Sequence, residues 1–250
     1  MAEQLPFVDV ALATNPQQRC ACVLVLDVSG SMGTIVANAG RDTGQTMQAD
    51  GQTFRVVSGG TTRMDLLNQG LQTLKGALIE DPLASQRVEL AVVTFGDTVK
   101  VEQPFVTAAE FTPPALHPSS SGGTPMGKAI LTAIELIEER KKMYKSHSVP
   151  YLRPWLFLIS DGMPDDDWSE AAKRIREYED QKKLVFFAIL TDGENVGVLS
   201  QLSVRPVKRV DSVKYKELFE WLSATQKSMS QSAPGSELQV KLPAPGWETV

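Results

Sequence analysis

The hydrophobic residues of this chain follow two alternating patterns. Four apolar runs are short and nearly uninterrupted, as is typical of strands buried on both faces of a sheet. They lie at 22–26, 88–95, 155–159 and 184–190. Between them, apolar residues recur every three or four positions, which predicts amphipathic helices. These stripes are Met64, Leu67, Leu71, Leu74 and Leu78; Met126, Ile130, Ile134 and Ile137; Trp168, Ala171, Ile175 and Tyr178; and Tyr215, Leu218, Phe219 and Leu222. The alternation predicts an α/β fold with helices on both faces of the sheet.

One strand is expected to run against the others. Gly96-Asp97 after the second apolar run predicts a two-residue hairpin turn, so the segment 99–105 should return antiparallel to 88–95. Pro104 cannot donate a hydrogen bond to a central ladder, and Lys100 and Glu102 discourage further pairing. We therefore predict an edge strand here.

Oxygen-bearing side chains follow two of the apolar runs. The first run leads into Asp27-Val28-Ser29-Gly30-Ser31, and the third leads into Ser160-Asp161-Gly162. In an extended segment the hydroxyls of Ser29 and Ser31 would project to the same side, and Gly30 allows the backbone to bend tightly between them. A carboxylate, two hydroxyls and space for water suit a hard cation such as Mg²⁺, whereas Zn²⁺ prefers His or Cys. Two aspartates close together would repel each other unless a cation allowed both to ionise.

A third polar segment precedes the second helical stripe. In Ser121-Gly122-Gly123-Thr124-Pro125, the proline fits the first helical position and Thr124 fits the N-cap. Each segment also has an ordinary reading, because Asp, Ser and Gly are common in turns and Thr is a common helix cap. A metal site and a set of unrelated turns are both compatible with any one segment taken alone.

Taken together, Asp27, Ser29, Ser31, Thr124 and Asp161 resemble the metal-ion-dependent adhesion site of von Willebrand factor type A domains. In that family these five positions surround one Mg²⁺, directly or through water, and a vacant position accepts an acidic group from a partner. The resemblance implies that the five residues bind Mg²⁺, with Mn²⁺ as the alternative.

The same resemblance implies a Rossmann-like, doubly wound and mostly parallel six-stranded sheet. Its order is 3-2-1-4-5-6, counted from the strand that contains Cys22, and strand 3 is antiparallel at the edge. Strands 1 and 4, which end in Asp27 and Asp161, then become neighbours at a topological switch point, where open α/β sheets bind their ligands.

A narrower resemblance links the chain to bacterial TerY-like proteins, which are associated with tellurite resistance. It rests on 6–26, 67–74, 92–96, 123–127, 154–162, 165–168, 218–222 and the closing Pro-Gly-Trp. TerY-like proteins are commonly encoded beside a serine/threonine kinase and a metal-dependent serine/threonine phosphatase, and are linked to stress or toxic-oxyanion resistance. The resemblance implies such partners and a role in phosphosignalling.

Two stretches lie outside this pattern. The segment 33–63 has no helical stripe, and Asp50-Gly51 followed by Thr53, Phe54 and Val56 predicts a small hairpin. We expect a mobile flap beside the site, with a structured lid as the alternative. The tail 228–250 is rich in Pro, Ser and Gly, with Leu242 and Trp247 as candidate anchors. We therefore predict one type A domain at 1–227, with the flap inserted, and a separate tail.

Composition excludes several functional classes. The chain has 250 residues, is 42% hydrophobic and 22% charged, and carries a formal net charge of -5. This is enough apolar material for one large core, and the acidic balance argues against a nucleic-acid surface. No apolar run approaches the length of a membrane span, and the N-terminus lacks a signal-peptide pattern. We predict a cytoplasmic protein without a membrane partner.

Cys20 and Cys22 are expected to be buried as small apolar residues, with a redox pair as the alternative.

Three functions compete. The favoured one is a non-enzymatic binding module that captures an acidic or phosphorylated group of a protein partner. A haloacid-dehalogenase-like phosphatase also uses a strand-end aspartate and Mg²⁺, but its motif needs a second aspartate two residues on, where this chain has Ser29. An adaptor for an AAA-type ATPase is the third function. The chain has no phosphate-binding Gly-x-x-x-x-Gly-Lys-Ser/Thr loop, so the nucleotide chemistry would belong to the partner.

Overall fold

The polypeptide path is known for most of the chain. The computed structural model describes residues 12, 17–38, 41–49, 52–120, 123–161, 163–192, 196–232 and 248–249, and at 41–42, 47–49, 52–58 and 248–249 it describes the backbone only. The strands are β1 Cys20–Asp27, β2 Ile35–Ala37, β3 Arg41–Ala49, β4 Gln52–Ser58, β5 Thr61–Thr62, β6 Val88–Phe95, β7 Val99–Thr107, β8 Trp155–Ser160, β9 Val185–Thr191, β10 Lys208–Val210 and β11 Glu248–Thr249.

The α-helices follow the predicted apolar stripes, with two short additions. They are α1 Arg63–Ile79, α2 Pro82–Arg87, α3 Met126–Ser146, α4 Ser169–Asp180, α5 Gly197–Leu202 and α6 Tyr215–Ser230. Short 3₁₀ helices occupy Gly30–Gly33 and Ser212–Lys214. No helix within the described ranges combines the length and hydrophobicity that a bilayer span needs.

One main sheet organises the molecule. Its strand order is β11-β10-β9-β8-β1-β6-β7, and the pairs β6–β1, β1–β8, β8–β9 and β9–β10 are parallel. From β7 to β10 this is the predicted order 3-2-1-4-5-6, and β7 is the predicted antiparallel edge strand. The two-residue strand β11 extends the sheet by antiparallel pairing with β10. The fold is therefore a Rossmann-like α/β fold.

The sheet is buried on both faces because its side chains alternate between two cores. Cys22 and Leu24 of β1 face a core that contains α1 and α6, whereas Val23 and Val25 face a core that contains α3, α4 and α5. The helical stripes supply the other half of each core, for example Leu71 on one side and Ile134 on the other. This explains why the strands appear in the sequence as unbroken apolar runs.

A buried ion pair fixes α3 to the sheet. Glu89 of β6 is fully buried, and its carboxylate accepts hydrogen bonds from Arg140 Nε at 2.6 Å and Nη2 at 2.7 Å. The hydroxyl of Tyr144 also donates to this carboxylate. Because a charge this deep is stable only when it is paired and hydrogen-bonded, the cluster fixes the position of α3 relative to the sheet.

The predicted turn at Gly96-Asp97 is one residue too short. Phe95 pairs with Val99, so the loop contains Gly96, Asp97 and Thr98, and Gly96 N donates to the carbonyl of Thr98 at 3.3 Å. The ladder beyond it is irregular between Leu90 and Val93. Two residues alone do not predict the length of this loop, because the register of the whole hairpin decides how many residues the loop contains.

The segment 33–63 contains regular structure. Strands β3 and β4 pair antiparallel, with Ala49 opposite Gln52, as the Asp50-Gly51 hairpin prediction requires. The turn residues themselves lie outside the described residues. Strands β2 and β5 pair at Ile35 and Thr62 and close the base of the segment. The chain therefore leaves the sheet after β1 and returns to the same place at the start of α1.

The predicted limit between domain and tail falls inside a helix. Helix α6 continues to Ser230, where its last turn contacts α2: Arg87 Nη1 donates to the carbonyl of Ser230 at 2.7 Å. The predicted anchors Leu242 and Trp247 lie outside the described residues. Beyond Ser232 only β11 is described, and it belongs to the main sheet.

Candidate metal centre

Asp27 lies at the carboxyl end of β1 and is fully buried. Its Oδ1 accepts a hydrogen bond from the backbone N–H of Ser29 at 2.8 Å, and its Oδ2 accepts one from Ser160 Oγ at 2.5 Å. Ser160 is the last residue of the neighbouring strand β8. The carboxylate is therefore oriented from both sides of the switch point between β1 and β8.

The electrostatic state of Asp27 reflects its burial. Desolvation raises the pKa of this carboxyl from 3.8 to about 6, the hydrogen bonds from Ser160 and Ser29 oppose the rise, and the charge of Asp161 adds to it. A bound cation would favour the ionised form of a carboxyl in such a place.

Three further side chains form a continuous row of oxygen atoms beside it. Ser29 Oγ lies 3.0 Å from Ser31 Oγ, and Ser31 Oγ donates a hydrogen bond to Asp161 Oδ1 at 2.8 Å. Mg²⁺ takes octahedral ligands at about 2.0–2.1 Å, which places neighbouring ligand oxygens about 2.9 Å apart. The two observed separations match that spacing, so these three oxygens fit adjacent positions of an octahedral site.

The two serines meet through a tight turn that begins at Gly30, where a bend was expected, and the backbone between them is not extended. The 3₁₀ helix Gly30–Gly33 begins between them, with Met32 N donating to the carbonyl of Ser29 at 3.0 Å. Met32 is buried in the core beside α1, which holds the turn against the sheet. This tight turn, and not strand geometry, brings the two hydroxyls together.

Thr124 is not the N-cap of the following helix, contrary to the sequence-based expectation. Helix α3 begins at Met126, its N-cap residue is Pro125, and no side chain at that position caps it. The carboxylate of Asp166 instead accepts hydrogen bonds from Gly127 N at 3.0 Å and Lys128 N at 2.8 Å. An aspartate from a distant loop therefore replaces the local cap, because its oxygens reach the same unpaired N–H groups.

The backbone of Thr124 is held next to the switch point by contacts on both sides. Its N–H donates to Asp165 Oδ2 at 2.9 Å, and its carbonyl accepts from Asp165 N at 3.2 Å. Ser119 N donates to the carbonyl of Val28 at 2.6 Å, which ties the preceding loop to the segment after β1. Ser121 and Gly122 lie outside the described residues.

The Thr124 hydroxyl does not hydrogen-bond to Asp27, Ser29, Ser31 or Asp161, four residues that the structure describes. Thr124 is buried, with 8% of the residue exposed. The structure thus joins four of the five predicted residues by hydrogen bonds or close oxygen contacts, in the order Asp27, Ser29, Ser31 and Asp161, and places the backbone of the fifth on the adjacent loop. Within the described ranges, no group of three His, Cys, Asp or Glu side chains forms an alternative metal site.

Sequence reasoning missed one charged residue of the site. Arg63 Nη1 donates to Asp161 Oδ2 at 2.6 Å, and Arg63 Nε donates to Asp192 Oδ2 at 2.9 Å. Nη1 also lies 3.3 Å from the carbonyl oxygen of Ser31. The sequence does contain a signal for the start of α1, because Thr62 and Asp65 form a capping box that makes Arg63 the first residue of the helix. Its two acidic partners depend on the tertiary fold.

Comparison with known proteins identifies the family of the domain. The family model for the von Willebrand factor type A domain matches residues 22–164, so this chain belongs to that family. No curated protein matches the sequence.

Solved structures resemble the chain at the level of the fold. Proximal thread matrix protein 1 from the mussel byssus is 15% identical with a TM-score of 0.54, covering 86% of this chain and 47% of that protein. This chain therefore spans about half the length of that relative. The conserved hypothetical protein BatB from Bacteroides thetaiotaomicron is 14% identical with a TM-score of 0.51, covering 85% of this chain and 100% of that one.

Proposed function

We propose that this protein is a cation-dependent protein-binding module. Asp27, Ser29, Ser31, Thr124 and Asp161 would hold Mg²⁺, or Mn²⁺ in its place. The bound cation would supply an open coordination position for a carboxylate or phosphate of the partner. The observation that carries this proposal is the row Ser29 Oγ, Ser31 Oγ and Asp161 Oδ1, with separations of 3.0 and 2.8 Å, at the switch point of a type A fold.

The donor set explains why an anionic partner is expected. Two carboxylates, Asp27 and Asp161, balance the charge of a divalent cation, whereas the serine and threonine hydroxyls add none. Arg63 and Asp192 form an adjacent ion pair, with 18% and 16% of their side chains exposed. A loaded site would therefore carry no net negative charge that repels a carboxylate or phosphate, and an oxygen of such a group would complete the ion's coordination.

The same residues favour binding over catalysis. A haloacid-dehalogenase-like phosphatase needs a carboxyl group two residues after its nucleophilic aspartate, and Ser29 in that position cannot act as the general acid. Ser29 is engaged instead with Asp27 through its N–H and with Ser31 through its hydroxyl. We therefore infer a non-enzymatic module. We also propose a cytoplasmic location.

The partner we propose follows from the resemblance to TerY-like proteins. It is a serine/threonine kinase or a metal-dependent serine/threonine phosphatase of a bacterial stress or tellurite-resistance system, which presents an acidic or phosphorylated group. Affinity capture tests this: recovery of a kinase and phosphatase supports it, whereas recovery of a ring ATPase supports the adaptor function instead.

The test of the mechanism compares the wild type with Asp161→Ala and with Asp180→Ala. Asp180 is an exposed carboxylate at the end of α4 and serves as the matched control. Immobilised wild type and control should capture the partner in Mg²⁺ and lose it in excess chelator, and Asp161→Ala should not capture it in either buffer. Capture that is unchanged in chelator would reject the mechanism. Calorimetric titration with Mg²⁺ and Mn²⁺ measures the ion directly.

A further inference from the structure

The two oxygens of Asp161 have separate hydrogen-bonding partners. Oδ1 accepts from Ser31 Oγ at 2.8 Å, and Oδ2 accepts from Arg63 Nη1 at 2.6 Å. The Asp161 side chain is 2% exposed, so these protein groups set its orientation. A charge-assisted bond of this length is among the stronger contacts that a carboxylate makes. Arg63 therefore draws one oxygen of Asp161 away from the two serine hydroxyls and leaves the other beside them.

The guanidinium is fixed by more than Asp161. Its Nε donates to Asp192 Oδ2 at 2.9 Å, and the other carboxylate oxygen of Asp192 accepts from Ser212 N at 2.9 Å. The guanidinium is planar and its N–H groups diverge at fixed angles. A rotation that released Asp161 would therefore also disturb the bond to Asp192.

The backbone of Arg63 is fixed as well. Its N–H donates to the carbonyl of Thr34 at 3.0 Å, and Thr62 and Asp65 cap the helix around it. A positive charge at a helix N-terminus is unfavourable, because the helix dipole is positive there. The carboxylates of Asp161 and Asp192 offset that cost. Tertiary contacts therefore hold Arg63 at the site.

We propose that Arg63 determines which cation the site accepts, by limiting Asp161 to one coordinating oxygen. This inference rests on the proposed function. Mg²⁺ demands near-ideal octahedral geometry, whereas Ca²⁺ takes six to eight oxygens and readily uses both oxygens of a carboxylate. The site therefore discriminates against Ca²⁺ in favour of Mg²⁺ and Mn²⁺.

The experiment measures dissociation constants for Mg²⁺, Mn²⁺ and Ca²⁺ by calorimetry on the full chain. In Arg63→Ala, Mg²⁺ affinity should fall about tenfold, the lower end of the usual loss when a group that orients a metal ligand is removed. Ca²⁺ affinity should not fall, because Asp161 becomes able to offer both oxygens. The ratio of the Ca²⁺ to the Mg²⁺ dissociation constant should therefore drop about tenfold.

Arg63→Lys separates geometry from charge. Lysine keeps the charge but lacks the fork that bridges Asp161 and Asp192, so the ratio should drop as it does in Arg63→Ala. A ratio retained in Arg63→Lys but lost in Arg63→Ala would show that charge alone matters and would overturn the inference. Asp192→Asn, which weakens the hold on Nε, should shift the ratio in the same direction by a smaller factor.

Arg174→Ala is the matched control, because it also removes an arginine from an ion pair. Arg174 pairs with Glu170 on the exposed surface of α4, at 3.6 Å. Its ratio should equal that of the wild type. Circular dichroism establishes whether each variant is folded. If Arg63→Ala is not folded, the two single variants Arg63→Lys and Asp192→Asn carry the test. Unchanged ratios in all folded variants, in a wild type that binds Mg²⁺, would overturn this inference alone. A wild type that binds no divalent cation would overturn the proposed function as well.

Discussion

Ser160 Oγ donates a hydrogen bond to Asp27 Oδ2 at 2.5 Å, and both residues are fully buried. Each is the last residue of its strand, and the two strands are parallel neighbours whose connections leave in opposite directions. The bond therefore crosses the switch point and orients the most deeply buried carboxylate of the candidate metal centre. Its removal should affect both the stability of the fold and the affinity for the cation.

We expect Ser160→Ala to lower the free energy of unfolding by about 1.5–3 kcal/mol, the range for a hydrogen bond to a charged group. Mg²⁺ affinity should fall by about 10–100-fold, since a group that orients a ligand is lost. Denaturant titration and calorimetry measure the two effects. Ser200→Ala, an exposed serine of α5, is the control and should change neither. Wild-type Mg²⁺ affinity in a folded Ser160→Ala variant would contradict the assigned role.

Removing the distant cap of α3 should destabilise the protein. In Asp166→Ala the N–H groups of Gly127 and Lys128 lose their acceptor, and we expect a loss of about 0.5–2 kcal/mol in the free energy of unfolding. Asp180→Ala should have no such cost, because it removes a negative charge from the C-terminal end of a helix. Equal stabilities for the two variants would show that Asp166 is not the cap.

Two glycines of α1 should respond oppositely to alanine. A Cβ at Gly70 would lie 2.2 Å from Cδ2 of Phe219 on α6, so Gly70→Ala should cost about 1–3 kcal/mol through overpacking. A Cβ at Gly76 would meet nothing within 4 Å, so Gly76→Ala should stabilise the helix by about 0.5–1 kcal/mol. Thermal and denaturant unfolding compare the pair, and a destabilised Gly76→Ala would contradict this packing.

The two cysteine thiols should be inert in the folded protein. Burial raises the pKa of Cys20 to about 12 and raises that of Cys22 still further from its ordinary range. Because the thiolate is the reactive form, a thiol reagent at pH 8 should label neither residue until denaturant unfolds the chain, and should then label both. Rapid labelling of the native protein would contradict this and would favour the redox alternative.

The alternation of strands and helices could be read from the sequence because it depends on local periodicity. The strand Cys20–Asp27 is buried on both faces and is apolar up to its final aspartate, whereas the stripe from Met64 to Leu78 repeats with the period of a helix. The edge position of Val99–Thr107 was also predictable, since Pro104 lacks an N–H for a central ladder. The strand order came from the family resemblance.

The sequence by itself therefore determined the α/β pattern, the edge strand and the oxygen donors at the strand ends. The tertiary structure alone decided that Asp166 caps α3, that Asp165 holds Thr124, and that Arg63 lies between Asp161 and Asp192. The physical reason is sequence separation. Local propensity acts over a few residues, whereas these contacts join positions 38 to 129 residues apart and exist only after the sheet has brought its strand ends together.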